Sequence, residues 1–179
     1  MKRAAKILIT GVPGSGKTTL FKKLFDALRS HNPTGFYTSE IREGGTRQGF
    51  RLKSLDGRSG VLAHAGFQTG YRVGKYAVDL EGFDAFLRPL MLLSPPFGLV
   101  MIDEIGKMEC LSAEFRKWIK QVFASPATVV ATIAQKGGGL IAELKRRPEV
   151  KIFTVTRENQ EEVFVKICSI LLISLRTEC

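Results

Sequence analysis

Cysteine and histidine are scarce in this 179-residue sequence, and it has no long apolar run. The three cysteines, Cys110, Cys168 and Cys179, are too few and too scattered for a disulfide framework, and no Cys or His pair has metal-site spacing. This scarcity favours reduced thiols in a cytoplasmic protein. The most apolar stretch, residues 163–175, is interrupted by Lys166 and is shorter than the roughly 20 residues that span a bilayer. We therefore expect no membrane segment.

Acidic residues are also few relative to basic ones, 17 against 27, which gives a net charge of +10. Such a balance favours polyanionic partners, either nucleotides or nucleic acid. A solvated basic surface with no such partner explains the charge equally well. The sequence has no RRM, KH or zinc-binding signature, so a nucleic-acid partner has no motif to support it.

A glycine-rich loop near the N-terminus carries the strongest functional signal. It matches the pattern G-x-x-x-x-G-K-[S/T] in full, between a buried strand at Lys6–Thr10 and an amphipathic helix that begins at Lys17. Glycines let the backbone amides wrap a polyphosphate, and the helix directs its positive end at the same phosphates. Lys17 is predicted to contact the β- and γ-phosphates, and the Thr18 hydroxyl to bind Mg²⁺. The predicted nucleotide-binding residues of this loop are Gly11, Val12, Pro13, Gly14, Ser15, Gly16, Lys17 and Thr18.

A pair of acidic residues follows the apolar strand Leu99–Ile102. Open α/β sheets bind ligands at the carboxyl ends of their strands, so we expect this strand to lie next to the loop strand, with Asp103 as a second Mg²⁺ partner. Glu104 is predicted to be catalytic, because a carboxylate beside the metal can orient and deprotonate an attacking water. That chemistry favours hydrolysis over transfer to an organic acceptor. A capping role or a lysine pair is the alternative for Glu104.

Apolar strands alternate with amphipathic helices along the chain, which predicts one α/β domain over residues 1–179 with a mostly parallel sheet covered on both faces. Between about 35 and 78 the pattern changes to short strand-like pieces separated by turn signals such as Asp56-Gly57. We therefore expect a small antiparallel β element inserted after the first helix. Residues 71–78 are predicted to add one further strand, and Pro95-Pro96 to end the helix that starts near Leu80.

Five stretches of the sequence together resemble the THEP-type nucleoside-triphosphatase family of small P-loop NTPases. They are GVPGSGKTT at 11–19, GFYTSEIREGG at 35–45, GF with a following LDG at 49–57, YRVGKYAVDL at 71–80 and IDEIGKME at 102–109. The resemblance extends from the N-terminus to beyond residue 109, and the combination is far more specific than the loop alone.

The resemblance implies a P-loop three-layer sandwich, either RecA-like or kinase-like. It also implies Mg²⁺-dependent hydrolysis of several nucleoside triphosphates, with ATP, GTP, CTP and UTP as plausible substrates, to the diphosphate and phosphate. Loose base preference and slow turnover belong to the same expectation. A second nucleotide-contacting segment is implied at Met101, Ile102, Asp103, Glu104, Ile105, Gly106 and Lys107.

A cation from elsewhere in the chain would help Lys17 to stabilise charge on the γ-phosphate, as an arginine finger does. We predict Arg72 as a catalytic residue of this kind, with Lys75, Arg42 and Arg47 as further candidates. A solvated surface position is the alternative for each of these four residues.

Several other polar residues have two interpretations each. Lys107 either reaches a phosphate or pairs with Glu104. Thr132, near the end of a buried strand, either senses the γ-phosphate or packs in the sheet. Arg157 and Asn159 are placed to contact the base, although Asn159 equally suits a cap of the last helix.

Two rival functions remain open from the sequence. A nucleotide or nucleoside kinase can carry an identical loop, but no Arg-rich helical lid is evident and the Asp-Glu pair suits water better. A nucleic-acid-associated ATPase would explain the net charge of +10. A monomer is the default expectation for the oligomeric state.

Overall fold

A nine-stranded sheet runs through the computed structural model, which describes residues 4–93 and 98–175. The predicted helix stop at Pro95-Pro96 and the C-terminal Cys179 lie outside the described residues. The strands are β1 (Lys6–Thr10), β2 (Thr34–Glu43), β3 (Thr46–Ser54), β4 (Ser59–His64), β5 (Arg72–Val73), β6 (Tyr76–Val78), β7 (Leu99–Ile105), β8 (Thr128–Ile133) and β9 (Val150–Thr154). The helices are α1 (Lys17–Leu28), α2 (Leu80–Leu93), α3 (Ala113–Ala124), α4 (Leu140–Lys145) and α5 (Gln160–Leu175).

The sheet order is β5-β6-β4-β3-β2-β7-β8-β1-β9. The strands from β2 to β9 in this order pair in parallel, and every residue of β1 and β8 is buried. Strands covered on both faces are expected to be apolar along their middle residues, as residues 7–9 and 129–131 are. The predicted mostly parallel α/β sheet is confirmed.

Helices cover both faces of the parallel strands. Helices α1 and α5 bury Leu20, Phe21 and Ile167 against one face, whereas α2, α3 and α4 pack their apolar residues against the other. Successive side chains of β1 point to opposite faces of the sheet. Ile7 and Ile9 pack under α1 and α5, whereas Leu8 packs in the core formed with α2, α3 and α4. The result is the expected three-layer sandwich.

The predicted antiparallel element is present, and it extends the main sheet. Strand β2 pairs in parallel with β7 along its first residues and antiparallel with β3 along its length, and β4 and β6 continue outward from β3. The one strand expected at 71–78 is instead a hairpin of β5 and β6, because Gly74 turns the chain with a positive φ of 59°. Residues 38–43 of β2 together with the strands β3 to β6, called the wing below, lie beyond the parallel strands.

The predicted neighbour relation between the loop strand and the acidic strand is wrong. Strand β8 lies between β1 and β7 and pairs in parallel with both. The carboxyl ends of these three parallel strands still meet at one edge of the sheet. The end of β8 therefore lies at the same edge as the loop and Asp103.

Candidate active site

The glycine-rich loop connects β1 to α1 as its pattern predicts. Gly16 precedes the first turn of α1 with a φ of 96°, and Gly14 has a φ of 77°, both values that side-chain-bearing residues rarely adopt. A Cβ at Gly16 would lie 2.3 Å from Gln160 Nε2 of α5. The loop is thus held between its own helix and α5, with the amide end of α1 directed toward the sheet edge.

Lys17 folds back over the loop that precedes it. Its ammonium donates to the carbonyl oxygens of Gly11 at 3.1 Å and Val12 at 3.5 Å, and its side chain is only 12% exposed. The Nζ atom also lies 3.9 Å from Glu104 Oε2. The structure therefore brings the predicted phosphate-binding lysine and the predicted catalytic carboxylate together.

Asp103 is buried at the end of β7, beside the first turn of α1. The Thr132 hydroxyl donates to its Oδ1 atom, whereas its buried Oδ2 atom lacks a hydrogen-bond partner among the described residues. Burial raises the pKa of Asp103, and hydrogen bonding from Thr132 and Thr18 together with the charge of Lys17 opposes the rise. Thr132 from β8 thus orients Asp103, a role that sequence patterning did not suggest.

The Thr18 hydroxyl and the orphaned Asp103 oxygen fit a hard divalent cation. Mg²⁺ prefers oxygen ligands, and it commonly takes one or two from protein and the rest from phosphate and water. No cluster of three or more His, Cys, Asp or Glu side chains suited to a metal occurs in residues 4–93 and 98–175. The donor set is therefore that of a metal shared with a substrate phosphate, not of a metal enclosed by protein.

Glu104 faces a cavity, with 31% of its side chain exposed. Burial raises the pKa of its carboxyl, and the Lys17 ammonium opposes that rise. The predicted pairing of Glu104 with a lysine occurs, but the partner is Lys17 and not Lys107. A phosphate that binds Lys17 would compete with this ion pair and leave Glu104 beside the reacting group.

The cavity has a volume of about 750 Å³, within the range of small-molecule sites. The predicted residues that line it are Gly14, Gly16, Lys17, Thr18, Asp103, Glu104, Gly106 and Lys107. Met101, Ile102 and Ile105 have fully buried side chains within the two cores. These three residues support the sheet, and a contact between them and a nucleotide stays a prediction.

The candidate cations of the wing lie outside the wall of this cavity. Arg42 and Arg47 both form ion pairs with Glu40, and Arg47 also donates to the Tyr76 hydroxyl at 2.9 Å. Arg72 is exposed and donates to the Lys75 carbonyl at 3.3 Å. Its neighbour Val73 does line the cavity, so a catalytic role for Arg72 stays a prediction.

The turn before α5 packs against the loop on the other side. Arg157 Nε donates to the Gly14 carbonyl at 3.4 Å, and Gln160 Nε2 donates to the Ser15 carbonyl at 3.3 Å. The Asn159 side chain accepts from the Thr156 amide and donates to the Thr154 carbonyl. Asn159 therefore stabilises the turn that precedes α5 instead of the first amides of that helix.

Lys22 and Glu109 are two of the cavity residues that were missed from the sequence. Lys22 lies one turn after Thr18 on α1 and is placed 5.2 Å from the centre of the Tyr37 ring; its i+4 spacing from Thr18 was the available signal. Glu109 is 6% exposed and faces the cavity. Nothing in the sequence indicates its burial, because a glutamate in a loop is normally solvated.

None of the helices within residues 4–93 and 98–175 combines the length and the apolar character needed to cross a membrane.

Comparison with known proteins assigns the family. A family model described as NTPase matches residues 6–168. A nucleoside-triphosphatase THEP1 from Thermotoga maritima is 43% identical over 93% of this chain and 95% of its own length, and a human cancer-related nucleoside-triphosphatase is 37% identical over 92% and 95%.

Solved structures agree with this assignment. The crystal structure of THEP1 from Aquifex aeolicus superposes with a TM-score of 0.83 at 34% identity, covering 93% of this chain and 98% of that one. The solution structure of a human cancer-related nucleoside triphosphatase gives a TM-score of 0.80 at 37% identity, over 96% and 99%. Since sequence and structure match over nearly the whole length, the chain belongs to the NTPase family of THEP1-like nucleoside-triphosphatases.

Proposed function

We propose that this protein hydrolyses nucleoside 5′-triphosphates to the diphosphate and phosphate in the presence of Mg²⁺. The observation that carries the proposal is the meeting of three groups at one sheet edge. Lys17 Nζ lies 3.9 Å from Glu104 Oε2, and the buried Asp103 carboxylate lies beside the Thr18 hydroxyl. A phosphate-binding cation, a metal-binding pair and a candidate base are the parts that triphosphate hydrolysis needs.

Phosphate binding is assigned to the loop and to Lys17. Backbone amides at the start of α1 and the positive end of that helix favour the β- and γ-phosphates, and Lys17 adds a full charge. Thr18 and Asp103 would hold Mg²⁺, which supplies charge neutralisation across the β- and γ-oxygens when bound. These contacts address only the phosphates, so they support broad acceptance of ATP, GTP, CTP and UTP.

Glu104 is assigned as the general base. Its carboxylate accepts a proton from a water molecule as the water oxygen attacks the γ-phosphorus. The bond from that phosphorus to the β,γ-bridging oxygen breaks, and its electron pair leaves with the diphosphate. The proton on Glu104 then passes to solvent or to the released phosphate. Burial raises the pKa of Glu104, and the Lys17 ammonium beside it opposes that rise and so favours the ionised form that a base needs.

Product analysis tests the reaction class. The protein is incubated with each of the four triphosphates and Mg²⁺, with and without a panel of nucleosides and nucleoside monophosphates. We expect equal amounts of diphosphate and free phosphate in every case, with kcat/KM values within about tenfold of one another. A phosphorylated acceptor formed in place of free phosphate would identify the protein as a kinase and overturn the proposal.

Asp103→Asn tests the metal assignment. The amide keeps the shape and can still accept from Thr132, but it removes the charge that attracts Mg²⁺. We expect the Mg²⁺ concentration for half-maximal activity to rise by about tenfold or more. Asp26→Asn, an exposed change on α1, is the matched control and should leave the Mg²⁺ titration unchanged. An unaltered titration curve for Asp103→Asn would exclude Asp103 as a metal partner.

A further inference from the structure

Glu109 is a buried acid in the cavity wall that the proposed mechanism does not use. It begins the short 3-10 turn Glu109–Leu111 after β7, and 6% of its surface is exposed. None of the ion pairs formed within residues 4–93 and 98–175 involves it. Burying an unpaired acid costs free energy, so its place beside the reacting groups calls for a specific reason.

The contacts of Glu109 link it to Glu104 through Gly106. The backbone amides of Glu109 and Gly106 donate to the Glu109 carboxyl group. A Cβ at Gly106 would lie 2.8 Å from Glu109 Oε2 and 3.0 Å from Glu104 Oε1, so these two oxygens are no farther apart than the two distances combined. The two carboxyl groups therefore lie on the same side of Gly106, close enough for a small rotation of either side chain to bring them into contact.

The surroundings of Glu109 favour its neutral form. Burial and the charges of Glu104 and Asp103 raise its pKa to about 8, against two backbone hydrogen bonds that lower it. The positive charges of Lys17 and Lys145 favour the ionised form of Glu104 and lower its pKa against the effect of burial. In its neutral form the Glu109 carboxyl group carries an O–H on the same side of Gly106 as the Glu104 carboxylate, as in other pairs of acids that share a site.

We propose that Glu109 is a positioning residue for Glu104: anchored on the Gly106 amide, its carboxyl group holds the Glu104 carboxylate in the orientation that faces Lys17 and the γ-phosphate. The inference rests on the proposed role of Glu104 as the base. It assigns Glu109 no contact with the nucleotide. Loss of the side chain should therefore lower kcat and leave nucleotide affinity unchanged.

A double-mutant cycle tests this proposal. Single-turnover rates and nucleotide dissociation constants are measured for wild type, Glu109→Ala, Glu104→Gln and the double variant. We expect Glu109→Ala to reduce kcat by about 10- to 100-fold, with the dissociation constant within about threefold of wild type. In the Glu104→Gln background the same change should cost less than about threefold, because the group that Glu109 positions is already inactive.

Conservative variants keep the test decisive if Glu109→Ala fails to fold. Glu109→Gln retains an acceptor for the Gly106 amide and a donor toward Glu104, so it should keep most of the activity. Glu109→Asp withdraws the group by one methylene and should lose most of it. Glu114→Ala, an exposed change in α3, is the matched control and should behave as wild type. Low activity in Glu109→Gln with normal activity in Glu109→Asp would overturn the proposal.

The cycle separates failure of this inference from failure of the proposed function. Near-normal turnover in Glu104→Gln would remove Glu104 from its role as base, whatever Glu109 does. The alternative outcome is that Glu104→Gln greatly lowers the single-turnover rate and Glu109→Ala lowers it by its full factor again in that background. This outcome would leave Glu104 as the base and reject only the positioning role of Glu109. Wild-type kcat in a folded Glu109→Ala variant would reject it as well.

Discussion

Glu104→Gln is expected to lower the rate of triphosphate hydrolysis by about a hundredfold or more while nucleotide binding is retained. Gln has the size of Glu and can still orient a water, but its amide cannot accept the proton that the attacking water loses. Lys17 would lose an ion-pair partner and remain free to bind phosphate. The ground-state complex should thus be preserved and the transition state destabilised.

The measurement combines single-turnover phosphate release with calorimetric titration of a Mg²⁺–triphosphate. Glu162→Gln is the matched control, since it makes the same chemical change at an exposed site on α5 where the glutamate pairs with Lys166. That control should hydrolyse at the wild-type rate. Turnover of Glu104→Gln within about threefold of wild type would assign the proton to another acceptor, such as the γ-phosphate itself.

Lys17→Ala should weaken nucleotide binding and hydrolysis together. The ammonium is largely enclosed and faces both the loop carbonyls and Glu104, so its removal leaves Glu104 as an uncompensated negative charge where the γ-phosphate must enter. Loss of a charge-assisted contact of about 1.5–3 kcal/mol corresponds to a roughly 10- to 100-fold weaker complex. A further loss in kcat is expected, because the lysine also stabilises charge that develops in the transition state.

Lys23→Ala is the matched control for this variant. Lys23 lies on the same helix, but it pairs with Glu161 of α5, and neither of the two residues lines the cavity. Its removal should leave both parameters unchanged. A Lys17→Ala protein with unchanged affinity would show that the glycine-rich loop does not bind the triphosphate through its lysine.

The sequence predicts local structure well where one short pattern decides it. The bounds of β1 and the start of α1 follow from an apolar run next to a glycine signal. The phosphate loop follows from fixed spacing, since each glycine answers a backbone requirement that is local to the loop. Lys17, Thr18 and the Asp103–Glu104 pair could therefore be assigned before their distances were known.

Strand order and burial of single polar groups depend on contacts between distant parts of the chain. The placement of β8 between β1 and β7 brings Thr132 onto Asp103, and no local pattern states which buried strands become neighbours. The burial of Glu109 results from how the turn after β7 folds over Gly106. The roles of such residues cannot be predicted from local sequence patterns, because the contacts that create those roles join distant parts of the chain.

In the wing, the sequence locates two basic residues but does not identify the group that each of them binds. The sequence predicts Arg42 and Arg47 as candidate cations for the γ-phosphate. The Glu40 carboxylate forms ion pairs with both, with Arg42 along β2 and with Arg47 across to β3, and cross-strand neighbours of opposite charge are a common stabilising feature of antiparallel sheets. The guanidinium groups of Arg42 and Arg47 are therefore bound to other residues of the wing in this structure.

The central claim is that a water molecule activated at Glu104 attacks the γ-phosphorus of a triphosphate held by Lys17. Its most direct test is a single turnover in water enriched in oxygen-18, with mass spectrometry of both products for wild type and Glu104→Gln. The account predicts label in the free phosphate, none in the diphosphate, and far slower incorporation in the variant. Label in the diphosphate, or equal rates of incorporation in the two proteins, would contradict it.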